Sequence, residues 1–138
     1  MTLRRKSREF ALQMLFQWEM SPQVPARIEA NFWKNARAEK KTRTFANQLF
    51  EGTVDQVTAL DELLARHSAH WRTERMAAVD LNILRLAVYE LRSTDTPAKV
   101  IFNEAIELAK RFSSEESAPF INGVLDAVAK ALGNKSTT

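Results

Sequence analysis

Apolar residues recur along this 138-residue chain at spacings of three and four, and nowhere do they alternate singly over the length of a strand. That rhythm belongs to an amphipathic helix, in which 3.6 residues per turn bring positions i, i+3, i+4 and i+7 onto one face. Ala11, Met14, Leu15 and Trp18 make one such stripe, and Ile101, Ala105, Leu108 and Phe112 another. Phe120, Ile121, Val124, Leu125, Val128 and Leu132 make a third. Only three glycines (Gly52, Gly123, Gly133) and four prolines punctuate the chain, too few for turn-rich β architectures. An apolar content of 45% can fill a core at this length. The expectation is an all-α fold of about six or seven helices, packed as one or two three-helix bundles.

Boundary signals divide the pattern. Thr2 can cap a first helix running to about Met20, and Ser21, Pro22 and Pro25 interrupt the chain before a second helix to about Ala38. Phe45, Leu49, Val57, Leu60, Leu63, Leu64 and His67 fit one long helix, inside which Gly52 implies a close crossing or a bend. Thr73 opens a region that includes Met76, Val79, Ile83, Leu84, Leu86, Val88 and Leu91, apolar on nearly all sides and so interior. Thr96 and Pro97 mark the next start, with Glu107 and Arg111 paired on its outer face. Ser113 to Glu116 matches a capping box before the last helix, which Gly133 ends. Gly123 interrupts nothing in that last period and is expected to admit a close backbone neighbour. Two helical subdomains are expected, about residues 1–70 and 71–133, with a frayed tail at 134–138.

Composition removes several function classes. Without cysteine there is no disulfide framework, thiolate metal site or cysteine nucleophile. Three scattered glycines cannot build a phosphate-cradling loop or a dinucleotide fingerprint, so no cofactor is expected. His67 and His70 stand at i,i+3, but a third strong ligand is missing and two seldom hold zinc, so no metal is expected either. No serine sits in a nucleophile-elbow signature, and no catalytic residue is assigned. The most apolar window, Leu81 to Leu91, has eight apolar residues in eleven and includes Arg85. It falls short of the ~20 residues a membrane span needs. The basic start runs into Glu9, Gln13, Gln17 and Glu19 with no small-residue cleavage site, so a cytoplasmic location is expected.

The net charge of +3 is local: Arg4, Arg5, Lys6 and Arg8 carry four positive charges, and the rest of the chain holds one more acid than base. Cations in the first turns oppose the helix dipole. Such a cluster is either a solvated terminus or a device for attracting phosphates by counterion release. Four phosphate contacts on a single strand would give a log-log salt slope of about −3. Phe16, Trp18 and Phe120 fit a core or its edge by periodicity alone; beside a basic cluster they become candidates for stacking on unpaired bases.

Three ordered blocks carry a resemblance. Arg4-Arg5-Lys6-Ser7-Arg8-Glu9-Phe10-Ala11-Leu12-Gln13-Met14-Leu15-Phe16, then Val79-Asp80-Leu81-Asn82-Ile83-Leu84-Arg85-Leu86-Ala87-Val88-Tyr89-Glu90-Leu91, then Asn103-Glu104-Ala105-Ile106-Glu107-Leu108-Ala109-Lys110 with Phe120-Ile121-Asn122-Gly123-Val124-Leu125-Asp126 resemble the NusB family of bacterial transcription antitermination factors over nearly the whole chain. The resemblance implies two three-helix bundles and a non-enzymatic role. That role is binding a boxA-type RNA element of ribosomal RNA leader transcripts, jointly with the small-subunit ribosomal protein that acts as Nus factor E, in an antitermination complex on RNA polymerase. It implies an RNA surface of Arg4, Arg5, Lys6, Arg8, Phe16, Glu116 and Phe120, and partner contacts around Glu74 and Asp80. Phe16 stands where the family usually has tyrosine, Ser113 where glycine often ends the preceding helix, and Phe102 where an aliphatic residue is commoner. The resemblance also admits a homodimer, and the alternative functions are a protein-only helical adaptor or a stand-alone relative of the RNA-binding module of ribosomal RNA cytosine methyltransferases.

Overall fold

A computed structural model describes residues 2–67 and 77–133. Among the described residues there are seven helices and no strand: α1 (Leu3–Met20), α2 (Pro25–Asn35), α3 (Lys40–Asp55), α4 (Val57–Arg66), α5 (Ala78–Ser93), α6 (Ala98–Phe112) and α7 (Ser117–Ala131). The all-α class is as the periodicity implied. The chain divides into two compact units, Met1–Asp55 and Gln56–Thr138, so the division falls at Gln56 rather than near residue 70. Three helices lie in the first unit and four in the second.

The reason is a break in what the pattern presents as one long helix. Gln56 (φ −102°, ψ 10°) separates α3 from α4. Two weak points precede it. Gly52 costs a helix interior about 1 kcal/mol relative to alanine. The buried Thr53 hydroxyl donates to the Leu49 carbonyl at 2.7 Å, a back-bond that loosens the ladder and bends helices.

In the first unit α1 lies mainly on α3, and α2 touches both. Ala11, Leu12, Met14 and Leu15 of α1 meet a core completed by Ile28 and Phe32 of α2 and Ala46, Leu49 and Phe50 of α3. Thr2 caps α1 as expected, its hydroxyl accepting from the Arg5 amide at 3.1 Å. The buried Ser7 hydroxyl reaches the Thr42 carbonyl at 2.9 Å and ties α1 to α3. Phe10, Phe32 and Trp33 pack edge to face with centroids 4.9 to 5.8 Å apart, and the Trp33 indole N–H donates to Asn47 Oδ1 at 2.9 Å.

Glu29 of α2 is the strained ionisable group of this unit. Burial, then a side-chain hydrogen bond with Glu51 and repulsion from that carboxylate, push its pKa from 4.5 up to about 8, and its Oε2 is buried with no hydrogen-bond partner among the described residues. The folded state thus holds a proton that the unfolded chain releases. Its stabilising effect is complete below about pH 4.5 and is lost as pH rises toward 8. A Glu29→Gln variant is expected to melt above the parent at pH 8.5 and to lose most of that advantage at pH 5. Thermal unfolding followed at both pH values checks this, and an unchanged pH profile would refute it.

In the second unit α5 is the central element, with α4, α6 and α7 packed on it. Leu81 through Val88 are buried without interruption, as expected of the interior helix. Leu60, Leu64, Leu84, Ile101, Ile121 and Leu125 are fully buried, each contributing on the order of 2 kcal/mol by transfer from water. Inside this apolar run Arg85 must be satisfied by the protein. Its Nε and Nη2 donate to the two Asp61 carboxylate oxygens of α4, both at 2.8 Å, and its Nη1 to Asn82 Oδ1 at 3.1 Å. Phe102 and Glu104 of α6 are both buried.

The helix ends follow the expected chemistry with small shifts. Pro25 opens α2 at its first position. Pro97 itself precedes the first residue of α6, and no side chain caps that helix. Gly133 follows α7 with φ +84°, the left-handed conformation that suits glycine after a helix. Thr73 and Met76 lie outside the described residues. Among the described residues no helix is long and apolar enough to cross a membrane.

Candidate nucleic-acid interface

Arg4, Arg5 and Lys6 occupy the first turns of α1 and are exposed. The Arg4 guanidinium stands over the Phe45 ring of α3, 4.5 Å from its centroid, which orients one cation of the group against a rigid face. The Thr2 cap supplies the helix start with an acceptor where the dipole disfavours three cations. Arg8 departs from the expected cluster: it is 3% exposed, on the same face as Ala11, Leu12 and Leu15 that builds the core. A side chain so placed serves the packing of α1 and offers no phosphate contact from the surface. The exposed arm has three cations.

Phe16 is 38% exposed, outside the core, where periodicity alone left a choice between the core and its edge. Eleven residues, about three helical turns, separate it from Arg5, so the two side chains leave α1 within roughly 20° of each other and about 17 Å apart along the axis. One cation, Arg5, and an uncovered ring therefore share one face of one helix, with Arg4 and Lys6 turned about 120° and 80° from Phe16 on either side. That is the combination a single-stranded nucleic acid needs: charge for its backbone and a flat apolar surface for a base.

Glu116 and Phe120 belong to the second unit, at the start of α7. Both are exposed, Phe120 at 40%. The turn before them is held by hydroxyls. The expected Ser113–Glu116 capping box is displaced by one residue: Ser114 Oγ accepts from the Ser117 amide at 3.2 Å, and Glu116 makes no capping bond. The Ser117 hydroxyl lies 3.0 Å from that of Ser113 and donates to Asp80 Oδ2 at 2.9 Å. Asp80, implied as a partner contact, is thus engaged inside the unit through one oxygen, while its Oδ1 is buried with no hydrogen-bond partner among the described residues. Glu74 and His70 lie outside the described residues.

Gly123 corrects another expectation. A Cβ built on it would meet nothing within 4 Å, so no neighbouring backbone requires a glycine there. Spacing also gave no hint of Phe45, which supports Arg4 from a different helix. The signal that Arg8 is internal was present, since the stripe of Ala11 and Leu15 extends back to it.

The NusB family model matches residues 5–130 of the chain. A transcription antitermination protein NusB of Koribacter versatilis (strain Ellin345) is 50% identical over 94% of this chain and 90% of its own length. The namesake of Solibacter usitatus (strain Ellin6076) is 48% identical over 96% and 92%. Among solved structures, one of antitermination factors NusB and NusE in complex with dsRNA superposes with a TM-score of 0.82 at 27% identity, covering 95% of this chain and 98% of that one.

Proposed function

Since the chain belongs to the NusB family, we propose that it acts in transcription antitermination by binding a boxA-type element of ribosomal RNA leader transcripts together with the ribosomal protein that serves as Nus factor E, within an RNA polymerase complex in the cytoplasm. The role is one of binding, not of catalysis. The observation that carries the reading is the exposed surface of α1, where Arg4, Arg5 and Lys6 stand at one end and Phe16, in register with Arg5, at the other. The cations neutralise phosphates and fix the strand's position, Phe16 takes a base on its ring, and Phe120 with Glu116 adds a second base-contacting surface on α7. Asp80, with Glu74, belongs to the partner-facing region in this proposal, and the Ser117 hydroxyl holds one of its oxygens in place.

The test is fluorescence anisotropy of a labelled boxA-type RNA and a scrambled control, with and without the ribosomal partner. Three phosphate contacts at about −0.7 each give an expected log-log salt slope near −2 rather than −3. Changing Arg4, Arg5 and Lys6 together to alanine should flatten that slope toward zero. Preference for the true element, strengthened by the partner, is the expected result. Equal binding to both RNAs would reduce the arm to nonspecific attraction, and no RNA binding with the partner present would leave a protein-only adaptor.

A further inference from the structure

Past Phe16, the end of α1 and the body of α2 enclose an open groove of about 310 Å³. It lies wholly within the first unit. Phe16 and Met20 form one wall, and the buried Ile28 contributes apolar surface from α2. Met20 is 59% exposed, an uncommon degree of exposure for a large apolar side chain beside an aromatic one. The remaining lining is neutral and polar, Ser21 with the amides Gln17, Gln23 and Asn31. The three amides are exposed, and no hydrogen bond among the described residues engages their carboxamides.

The chemistry of this lining selects its occupant. No charged side chain borders the groove, so a phosphate or an acidic or basic peptide finds no counter-charge there. Its volume is at the lower end of the ~300 to 1,000 Å³ typical of small-ligand sites, room for one flat ring system rather than a helix. A nucleobase has the two properties the walls answer. Its π-face packs on an aromatic ring or a thioether. Its edge carries adjacent donors and acceptors, which a carboxamide matches with its own N–H and C=O side by side.

We propose that this groove receives one unpaired base of the bound RNA, packed on the wall formed by Phe16 and Met20 and read at its edge by the Asn31 and Gln17 carboxamides. The proposal rests on the RNA-binding reading above and deepens it. Phosphate contacts at the start of α1 set affinity and register, whereas the groove at its end discriminates among bases.

The test uses the full chain, with the ribosomal partner, and a boxA-type RNA in which each nucleotide in turn is made abasic. A Gln17→Ala/Asn31→Ala variant alters only exposed side chains, and an unchanged melting temperature confirms that it folds. It is expected to bind the intact RNA about tenfold more weakly with the same salt slope. One abasic position should weaken the wild type by a similar factor and weaken the variant no further, the non-additivity that marks a direct contact. Wild-type affinity in the variant, or losses that simply add at every abasic position, would overturn the groove proposal while leaving RNA binding intact. Failure of the wild type to bind RNA at all would overturn the underlying reading, and the groove proposal with it.

Discussion

An Asp61→Ala variant is expected to lose about 3 kcal/mol of folding stability, which for a chain of this size lowers the melting temperature by roughly 10 °C. The Arg85 side chain is 8% exposed and lies within the uninterrupted buried run of α5, so its guanidinium cannot turn to water when the carboxylate is removed. Breaking one side of a buried pair costs about 3 to 5 kcal/mol, because a desolvated charge is left without its counterpart. The lower end applies here, since the Asp61 side chain is 30% exposed and Asn82 still accepts from Nη1. The double variant Asp61→Ala/Arg85→Met removes both charges and should recover much of the loss. Thermal unfolding by circular dichroism reads both variants. A melting point for Asp61→Ala within two degrees or so of the parent would show that the ion pair does not hold α4 to α5.

Phe16→Ala should weaken RNA binding by roughly 5- to 150-fold, the range set by about 1 to 3 kcal/mol for each base stacked on an aromatic ring. The ring is substantially exposed, so the melting temperature should scarcely change. The salt slope should stay near −2 as well, because no phosphate contact is lost. Phe16→Tyr keeps the stacking face and should bind within about twofold of the parent. This pattern separates the ring from the basic arm, whose removal changes the slope. Titration of labelled RNA at two salt concentrations measures both. Full affinity in the alanine variant would take Phe16 out of the interface.

Much of the architecture was legible in the residue spacing because helix packing imprints a local period on the chain. The stripes of α1, α6 and α7 lie where the three- and four-residue recurrences put them, except that Phe120 at the head of the α7 stripe is exposed, and α5 is buried on nearly all sides as its composition implied. What escaped depends on contacts between residues distant in sequence. Nothing local pairs Arg85 with Asp61, or Arg4 with Phe45. The break at Gln56 escaped because the apolar period continues across it, whereas the Thr53 back-bond depends on a rotamer. For the site, the basic cluster was readable as composition, but which of its members face outward was a question of helical phase. By that phase Arg8 falls into the core, and Phe16 comes into line with Arg5.

The empty space over Gly123 makes it a gauge for whatever approaches α7 from outside. One turn from the exposed Phe120, it sits within a regular helix, and apart from its own helical turn no described atom comes within 4 Å of its missing Cβ. An added methyl there displaces nothing internal and brings the ~1 kcal/mol by which alanine exceeds glycine in a helix interior. Folding and binding then respond to the same single group with opposite sign wherever a partner surface comes within van der Waals reach. A stabilised chain that binds less well would locate that surface to within the width of one side chain.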